Sequence, residues 1–470
     1  MTRLNMLDSS FLIAENRETP MHTGGVSLYS YPKGVDKRKF LLGLKDILLT
    51  GTDLRPMFHQ RLSGSLMSKA NLAFSWEKDQ DFDIEYHIRH SALPRPGRYR
   101  ELFALISRLH STLLDRNRPL WELHLIEGLA GNQFATYLKT HHCMLDGVAA
   151  MHLTDSMLSA TSRGRVRYSP LSREAWEQYK KKNLAIRKPV SASTDDIKSL
   201  AGRLTEQIGS GRQLTRAMLK YANVWLGGNP ALNAPWHGVP GSIISSKVTG
   251  SRRFVAQSWP YQRVRAVGRA LGGTLNDAVL AMCAGGLRRY LLQSGALPDK
   301  PLKAMVPISL RAEGDLESSN AVGFIVANLA TQLEDPGERF STIRESMLAG
   351  KALYSGLTSG EAELFTQIAM SPMVITKLLG LEKALPAFNL VISNVPGPRK
   401  TMYWNGARLD GIYPASIVVN GQSLNITLVS YGDQLDFGII ACRRSLPSIQ
   451  RLLDCLDDTL TEMEELAGLA

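Results

Sequence analysis

The sequence has few cysteines, fewer acids than bases and no long apolar run, and each shortage narrows what the chain can be. The four cysteines, Cys143, Cys283, Cys442 and Cys455, fit neither CxxC pairs nor a disulfide framework. A reducing compartment is therefore expected, and a thiolate metal centre is disfavoured. No stretch approaches the roughly 20 uninterrupted apolar residues of a membrane-spanning helix, the most apolar windows being broken by Asn276 and Asp277 or by Asn320 and Asn328. The opening MTRLNMLDSSFLIAENRE places Asp8, Ser9 and Ser10 where a signal peptide needs its apolar core, so secretion is not expected. There is no GxSxG elbow for a serine nucleophile and no HEXXH helix for a metal.

What remains is an ordinary globular composition, 44% hydrophobic and 21% charged. At 470 residues the chain is roughly three times a domain of about 150 residues, so two domains are expected. Lys and Arg number 55 against 43 Asp and Glu, a net charge of +12 that attracts anions: nucleic acid, anionic lipid or a phosphorylated cofactor. No nucleic-acid motif accompanies the charge, and many of the bases gather in the middle of the chain.

From Met21 to about Ala160, strand-like runs such as HTGGVSLYSY alternate with helical patterns such as RKFLLGLKDILLT, which reads as α/β with a mixed sheet. In a helix predicted from Glu101 to Leu114, Leu102, Leu105, Ile106, Leu109 and Leu113 recur at helical spacing and form one buried face. Between about Thr161 and His237 the texture turns basic, with Arg163, Arg165, Arg167, Lys180, Lys181, Lys182, Arg187 and Lys188, then the break SASTDD. This is read as the connection between domains. Its second half sets Leu214, Met218, Leu219, Val224 and Trp225 beside Arg212, Arg216 and Lys220, which suits either a linker helix packed on the body or an interfacial helix. After Pro240 a second α/β unit follows, with strands at SRRFVAQSWP, KAMVPISL, NAVGFIVANLATQL and FNLVISNVPGP. Helices are predicted at Tyr261–Leu271 and Leu275–Ser294, and a closing one from Leu446. The expected boundaries are 1–165, a linker over 166–240, and 241–470.

The most informative segment is QFATYLKTHHCMLDGVAAMHLTDSML. Gln133 to Cys143 alternates like a strand, Asp146-Gly147 reads as a turn, and a helix follows. Adjacent residues of a regular strand face opposite ways, so His141 and His142 do not both aim at one reacting atom. One is then a base and the other a support, and imidazole suits the work because its pKa near 6.5 lets it take and return a proton at neutral pH. Asp146 could orient the base or hold the loop. Gly147 would permit a sharp turn. A Cys143 on the opposite face is a poor nucleophile, and a metal site is disfavoured for want of a third ligand.

HHCMLDG resembles the HHxxxDG signature of the CoA-dependent acyltransferase superfamily, which includes chloramphenicol acetyltransferases, peptide-synthetase condensation domains and bacterial wax ester synthase/diacylglycerol acyltransferases. PLWELHLIEGL at Pro119–Leu129, GGTLNDAVLA at Gly272–Ala281, SNVPGP at Ser393–Pro398 and the opening LNMLDSSFLIAENRETPMHTGGVSLY look like the last of these, in order along essentially the whole chain. Where the other two groups carry a DFGWG-like segment, Asp436-Phe437-Gly438-Ile439 lacks the tryptophan. On their own residues, Trp121 reads as a packing anchor, Asn276-Asp277 as a helix N-cap and Asn394–Pro398 as a stiff end to a strand.

The resemblance implies an α/β fold of two chloramphenicol acetyltransferase-like domains, each a mixed sheet flanked by helices, with a tunnel between them. It implies an O-acyltransferase that moves a long-chain acyl group from acyl-CoA to a fatty alcohol, and less efficiently to diacylglycerol, without an acyl-enzyme. His142 would be the general base, His141 its support, Asp146 an orienting or structural residue and Asn276 a stabiliser of charge. Acyl-CoA is a substrate, and no tightly bound cofactor, metal or nucleic acid is expected. The location would be cytoplasmic, with peripheral contact at the inner face of the cell membrane or a lipid droplet. Condensation onto an amine and a non-catalytic lipid-surface binder are the alternatives.

Overall fold

The period-two alternation of Gln133–His141 becomes the central strand of a mixed sheet in the computed structural model, which describes residues 2–50, 53–63, 74–185, 213–310, 322–378 and 385–469. The six strands run in the order Tyr403–Trp404, Ala407–Ala415, His22–Ser30, Gln133–His141, Trp121–Leu129, Ile88–Ala92. All neighbours are antiparallel except the last pair, which is parallel. Phe134 and Leu138 pack into one apolar core with Tyr29, Trp121 and Trp404, whereas Ala135 and Tyr137 pack into another under the helix Tyr99–Ser111. Leu102 and Ile106 bury the face of that helix that their spacing predicts. The helix ends at Ser111, however, so Leu113 leaves the stripe and stands 37% exposed.

The chain divides into two compact units that cut across the contiguous boundaries expected from sequence. The first joins 1–180, 246–263 and 393–453; the second joins 181–245, 264–392 and 454–470. Sequence texture marked the basic connection but had no means of showing that strands from the C-terminal half return to the first unit. In that unit, Arg252–Pro260, Gln434–Cys442 and Leu424–Tyr431 form an antiparallel array, and Phe254 joins the core beneath Tyr99–Ser111.

In the second unit, Lys303–Ser309 pairs antiparallel with Val322–Asn328 and in parallel with the start of Leu390–Pro396. Helix Leu275–Gln293 is buried almost continuously from Asp277 to Leu287, which accounts for its apolar length by packing. No single helix among the described residues is long and apolar enough to cross a membrane. The closing helix starts at Arg451, later than the predicted Leu446, which is nevertheless buried. The first part of the basic connection holds the helix Arg173–Ala185, while its middle, 186–212, and Asn320 lie outside the described residues. Beyond them, the helix 213–223 packs through Leu214, Ala217 and Met218, with Val224 just past its end, against a core containing Leu353 and Phe365.

Gly438 shows how closely these strands approach. A Cβ there would lie 1.7 Å from the carbonyl oxygen of Pro414, a backbone atom that cannot swing aside. Gly438→Ala is therefore expected to lower stability by about 3 kcal/mol, read as a fall in melting temperature; a variant melting with the wild type would contradict the contact.

Candidate active site

The strand Gln133–His141 ends at its first histidine, and the chain then turns through 142–144 before Asp146 caps the helix Gly147–Ser156. His142 therefore lies in the turn and not on the regular strand. The two rings have different partners, Glu15 for His141 and Phe11 for His142, and strand alternation does not relate them, because the strand ends between them. Met144 N–H donates to the His141 carbonyl at 2.9 Å and closes the turn, while His142 N–H donates to the Met21 carbonyl at 2.9 Å.

His141 is wholly buried. Its Nδ1 accepts the Cys143 backbone N–H at 3.2 Å and lies 3.0 Å from Cys143 Sγ. Its Nε2 lies 3.4 Å from Oε1 of Glu15. Burial alone would raise the Glu15 carboxyl, but His141, the Met21 N–H and Arg116 outweigh it and hold the group below its ordinary range. Arg116 reaches Oε2 of Glu15 at 3.0 Å and donates to the Leu12 carbonyl at 2.6 Å.

His142 is different. Its ring is half-buried and stacks on Phe11, with centroids 4.2 Å apart and planes 18° from parallel. Nδ1 is covered by protein without a hydrogen-bond partner. Loss of solvation draws the ring down to about 4, although the charge of Asp146 and the residue's own backbone carbonyl pull it up. The imidazole is therefore neutral at physiological pH and able to accept a proton. Burial pushes the thiol of Cys143 well above its usual range, which keeps it protonated and unreactive.

The comparisons with known proteins agree with one another. Residues 4–279 match the wax ester synthase/diacylglycerol acyltransferase catalytic domain, and residues 318–464 match the WS/DGAT C-terminal domain. The chain belongs to the wax ester synthase/diacylglycerol acyltransferase family. It is accordingly an O-acyltransferase. It is 44% identical over 466 residues to a probable diacylglycerol O-acyltransferase of Mycobacterium tuberculosis, covering 98% of both chains. It is 40% identical over 464 residues to the O-acyltransferase WSD of Acinetobacter baylyi, covering 99% of this chain and 97% of that one. The wax ester synthase/diacylglycerol acyltransferase of Marinobacter aquaeolei VT8 superposes over the whole of both chains with TM-score 0.75 at 39% identity. A condensation domain of the calcium-dependent antibiotic synthetase, covered to 96% with 99% of this chain, has TM-score 0.57 at 15% identity and shares the fold.

Within this wax ester synthase family member, the other motif residues separate by position. Trp121 is fully buried, donates to the Phe58 carbonyl at 2.9 Å and stacks on His87, as a packing anchor does. Asn276 and Asp277 are not the N-cap of their helix. Thr274 is, and Asp277 answers from the third helical position by accepting the Thr274 backbone N–H at 2.8 Å. This reciprocal box needs a carboxylate at that spacing, and it leaves Asn276 half-buried in the first turn of a helix of the second unit. Asn394 lies on the strand Leu390–Pro396 with its side-chain oxygen buried and unpartnered.

Gly147 is the first residue of its helix and has no left-handed backbone, so it serves no sharp turn; a Cβ there would only touch Val395 at 3.4 Å. Among the described residues no group of three His, Cys, Asp or Glu is arranged to hold a metal ion. Phe11, Glu15 and Arg116 were not singled out from the sequence: Phe11 and Glu15 fall inside the shared N-terminal pattern LNMLDSSFLIAENRETPMHTGGVSLY, and Arg116 falls in none of the motifs.

Asp146 is buried, and its Oδ1 accepts the Ala149 N–H at 2.8 Å. Asp146→Ala should cost about 1 kcal/mol through the lost cap, with Asp146→Asn recovering most of it. Equal destabilisation of the two variants in thermal unfolding would show that the carboxylate's charge, and not the cap, holds the turn.

Proposed function

We propose that this protein transfers a long-chain acyl group from acyl-CoA to a fatty alcohol and, less efficiently, to diacylglycerol, with His142 as general base. The observation that carries this reading is an imidazole in the turn after the strand, stacked on Phe11 with its Nδ1 covered by protein, where loss of solvation favours the neutral form. With the ring's proton on Nδ1, the Nε2 lone pair takes the alcohol proton.

The alcohol oxygen attacks the thioester carbonyl as its proton passes to Nε2. The tetrahedral oxyanion collapses, the carbon–sulfur bond breaks, and the imidazolium returns the proton to the departing CoA sulfur. No acyl-enzyme forms, in keeping with the buried, protonated thiol of Cys143. Asn276 is assigned to the developing charge on the family resemblance. Binding of the acyl chain is largely apolar: a 16-carbon chain leaving water contributes on the order of 10 kcal/mol before ordering costs, at roughly 0.8 kcal/mol per methylene.

The test follows CoA release from acyl-CoA with hexadecanol, diacylglycerol or a long-chain amine as acceptor. His142→Ala should lose at least about 10²-fold in kcat/KM; loss of the same size in His141→Ala alone, with His142→Ala active, would reverse the assignment. An amine that outcompetes the alcohol would favour condensation chemistry. Because the folded ring's pKa is depressed to about 4, its neutral, working form persists as pH falls through the ordinary histidine range. Therefore kcat/KM should hold its neutral-pH value to about pH 5, and an acid limb near 6.5 would count against a desolvated base.

Peripheral lipid contact is part of the same reading. Leu219, Trp225 and Leu226 stand 66%, 52% and 84% exposed beside Arg216 and Lys220, an apolar patch with positive charge suited to an anionic bilayer surface. Flotation with vesicles containing phosphatidylserine should carry the wild type, and Trp225→Ser with Leu226→Ser should lower the bound fraction several-fold; equal flotation of both would remove the patch from the proposal.

A further inference from the structure

Two residues of the N-terminal segment, which the reaction scheme does not use, touch the histidine pair directly. The helix Met6–Ala14 ends just before Glu15, and Phe11, one helical turn earlier, supplies the flat face on which His142 rests. Five contacts join this segment to the turn and to Arg116. Glu15 faces His141 at 3.4 Å, the Met21 carbonyl accepts the His142 N–H at 2.9 Å, and Phe11 stacks on His142. The Leu12 carbonyl accepts from Arg116 at 2.6 Å, and Arg116 in turn holds Glu15 at 3.0 Å.

The proton inventory at His141 gives the arrangement direction. Nδ1 accepts the backbone N–H of Cys143, so it carries a lone pair and the ring's proton sits on Nε2; that buried nitrogen has no hydrogen-bond partner among the described residues, and its nearest carboxylate oxygen is Glu15 Oε1 at 3.4 Å, an electrostatic contact. The Cys143 thiol, kept protonated by burial, faces the same Nδ1 at 3.0 Å. A carboxylate at Glu15 therefore selects one tautomer of His141, and that tautomer accepts the N–H that closes the turn bearing His142. Both oxygens of Glu15 are engaged, Oε1 also by the Met21 N–H at 3.1 Å and Oε2 also by Arg116 Nε at 3.1 Å. The carboxylate has little freedom to rotate away.

We propose that Glu15 and Phe11 are positioning residues for the acyl transfer: Glu15, braced by Arg116, fixes the tautomer of His141 and through it the turn, and Phe11 fixes the plane of the His142 ring. The inference rests on His142 being the base. Neither residue touches substrate in this scheme, and each acts through a histidine. A ring free to tilt or a turn free to open displaces Nε2 from the attacking hydroxyl, and a displacement near 1 Å can cost on the order of 10²-fold in rate.

The experiment compares Glu15→Ala, Glu15→Gln and Phe11→Leu with the wild type by steady-state CoA release, thermal unfolding and NMR of protein labelled with 15N-histidine. The His141 and His142 signals are assigned by His141→Ala and His142→Ala. Glu15→Ala should lower kcat about 10²-fold with KM for both substrates within about twofold. Glu15→Gln, which keeps an oxygen for the Nε2 proton, should recover to within about tenfold of the wild type, and Phe11→Leu should lose about tenfold in kcat. The wild-type His141 spectrum should report protonation at Nε2 alone, with both tautomers appearing in Glu15→Ala. Full kcat in Glu15→Ala and Phe11→Leu, at a temperature where both are folded, would overturn the proposal even if their melting points fall. So would an unchanged His141 tautomer in Glu15→Ala. If Glu15→Ala does not fold, Glu15→Gln decides by the same two readings. Should His142→Ala stay active, the base assignment fails separately, while the tautomer, read without turnover, still rules for or against Glu15.

Discussion

A buried carboxylate constrains the first unit more than any other single group. Glu15 is surrounded by protein, where an unpaired charge would cost several kcal/mol, and it remains ionised because Arg116, His141 and the Met21 N–H converge on it. These partners come from the stretch after helix Tyr99–Ser111, from the end of the central strand and from the approach to strand His22–Ser30. Removing one partner leaves a charge with nowhere to go, so the three segments are tied to a single arrangement. The turn that carries His142 is part of that arrangement.

The same side of the sheet continues this pattern. Alternation along Gln133–His141 sets Tyr137, Lys139 and His141 on one face, all buried. Lys139 reaches the carbonyls of Leu109 and Thr112 at the C-terminal end of helix Tyr99–Ser111, where the helix dipole favours a cation. Burial still draws it down to about 8. His110 accepts the Tyr137 hydroxyl at Nδ1 at 2.7 Å and donates from Nε2 to the Ser416 carbonyl at 2.9 Å, while Glu122 lies between Arg89 and His124. The opposite face is apolar, built on Phe134, Leu138 and Trp121. One face of the sheet is thus wholly apolar at its centre, while the other adds a hydrogen-bonded cluster to its apolar core, and His141 stands where that cluster reaches the strand's end.

This division explains the unlike fates of two adjacent imidazoles. His141 ends the strand on the polar face and is absorbed into the charge network. One residue later the backbone has turned, and His142 leaves the sheet for the aromatic face of Phe11. Its neutral state follows from the lack of solvation on the covered side, which disfavours the cation more than Asp146 favours it. A base that is unprotonated at neutral pH and fixed in plane suits proton abstraction from a hydroxyl.

Local pattern in the sequence was enough for the alternating strands, the stripe of Leu102 and Ile106 and the buried role of Trp121, because each depends on neighbours within a few residues; in HHCMLDG it gave a strand followed by a helix but set the turn at Asp146-Gly147, where the structure turns at 142–144. The errors also have local causes. Asp277 and Asn276 both favour caps, yet Thr274 took the position because the box needs its carboxylate three residues in, and Leu113 fell beyond a helix that ended sooner than its periodicity. The pairing of Glu15 with Arg116, 101 residues away, and the return of 393–453 to the first unit had no local signature. Contacts between such distant segments are set by which charges find partners and which strands find edges when the whole chain packs, so the tertiary structure alone decided them.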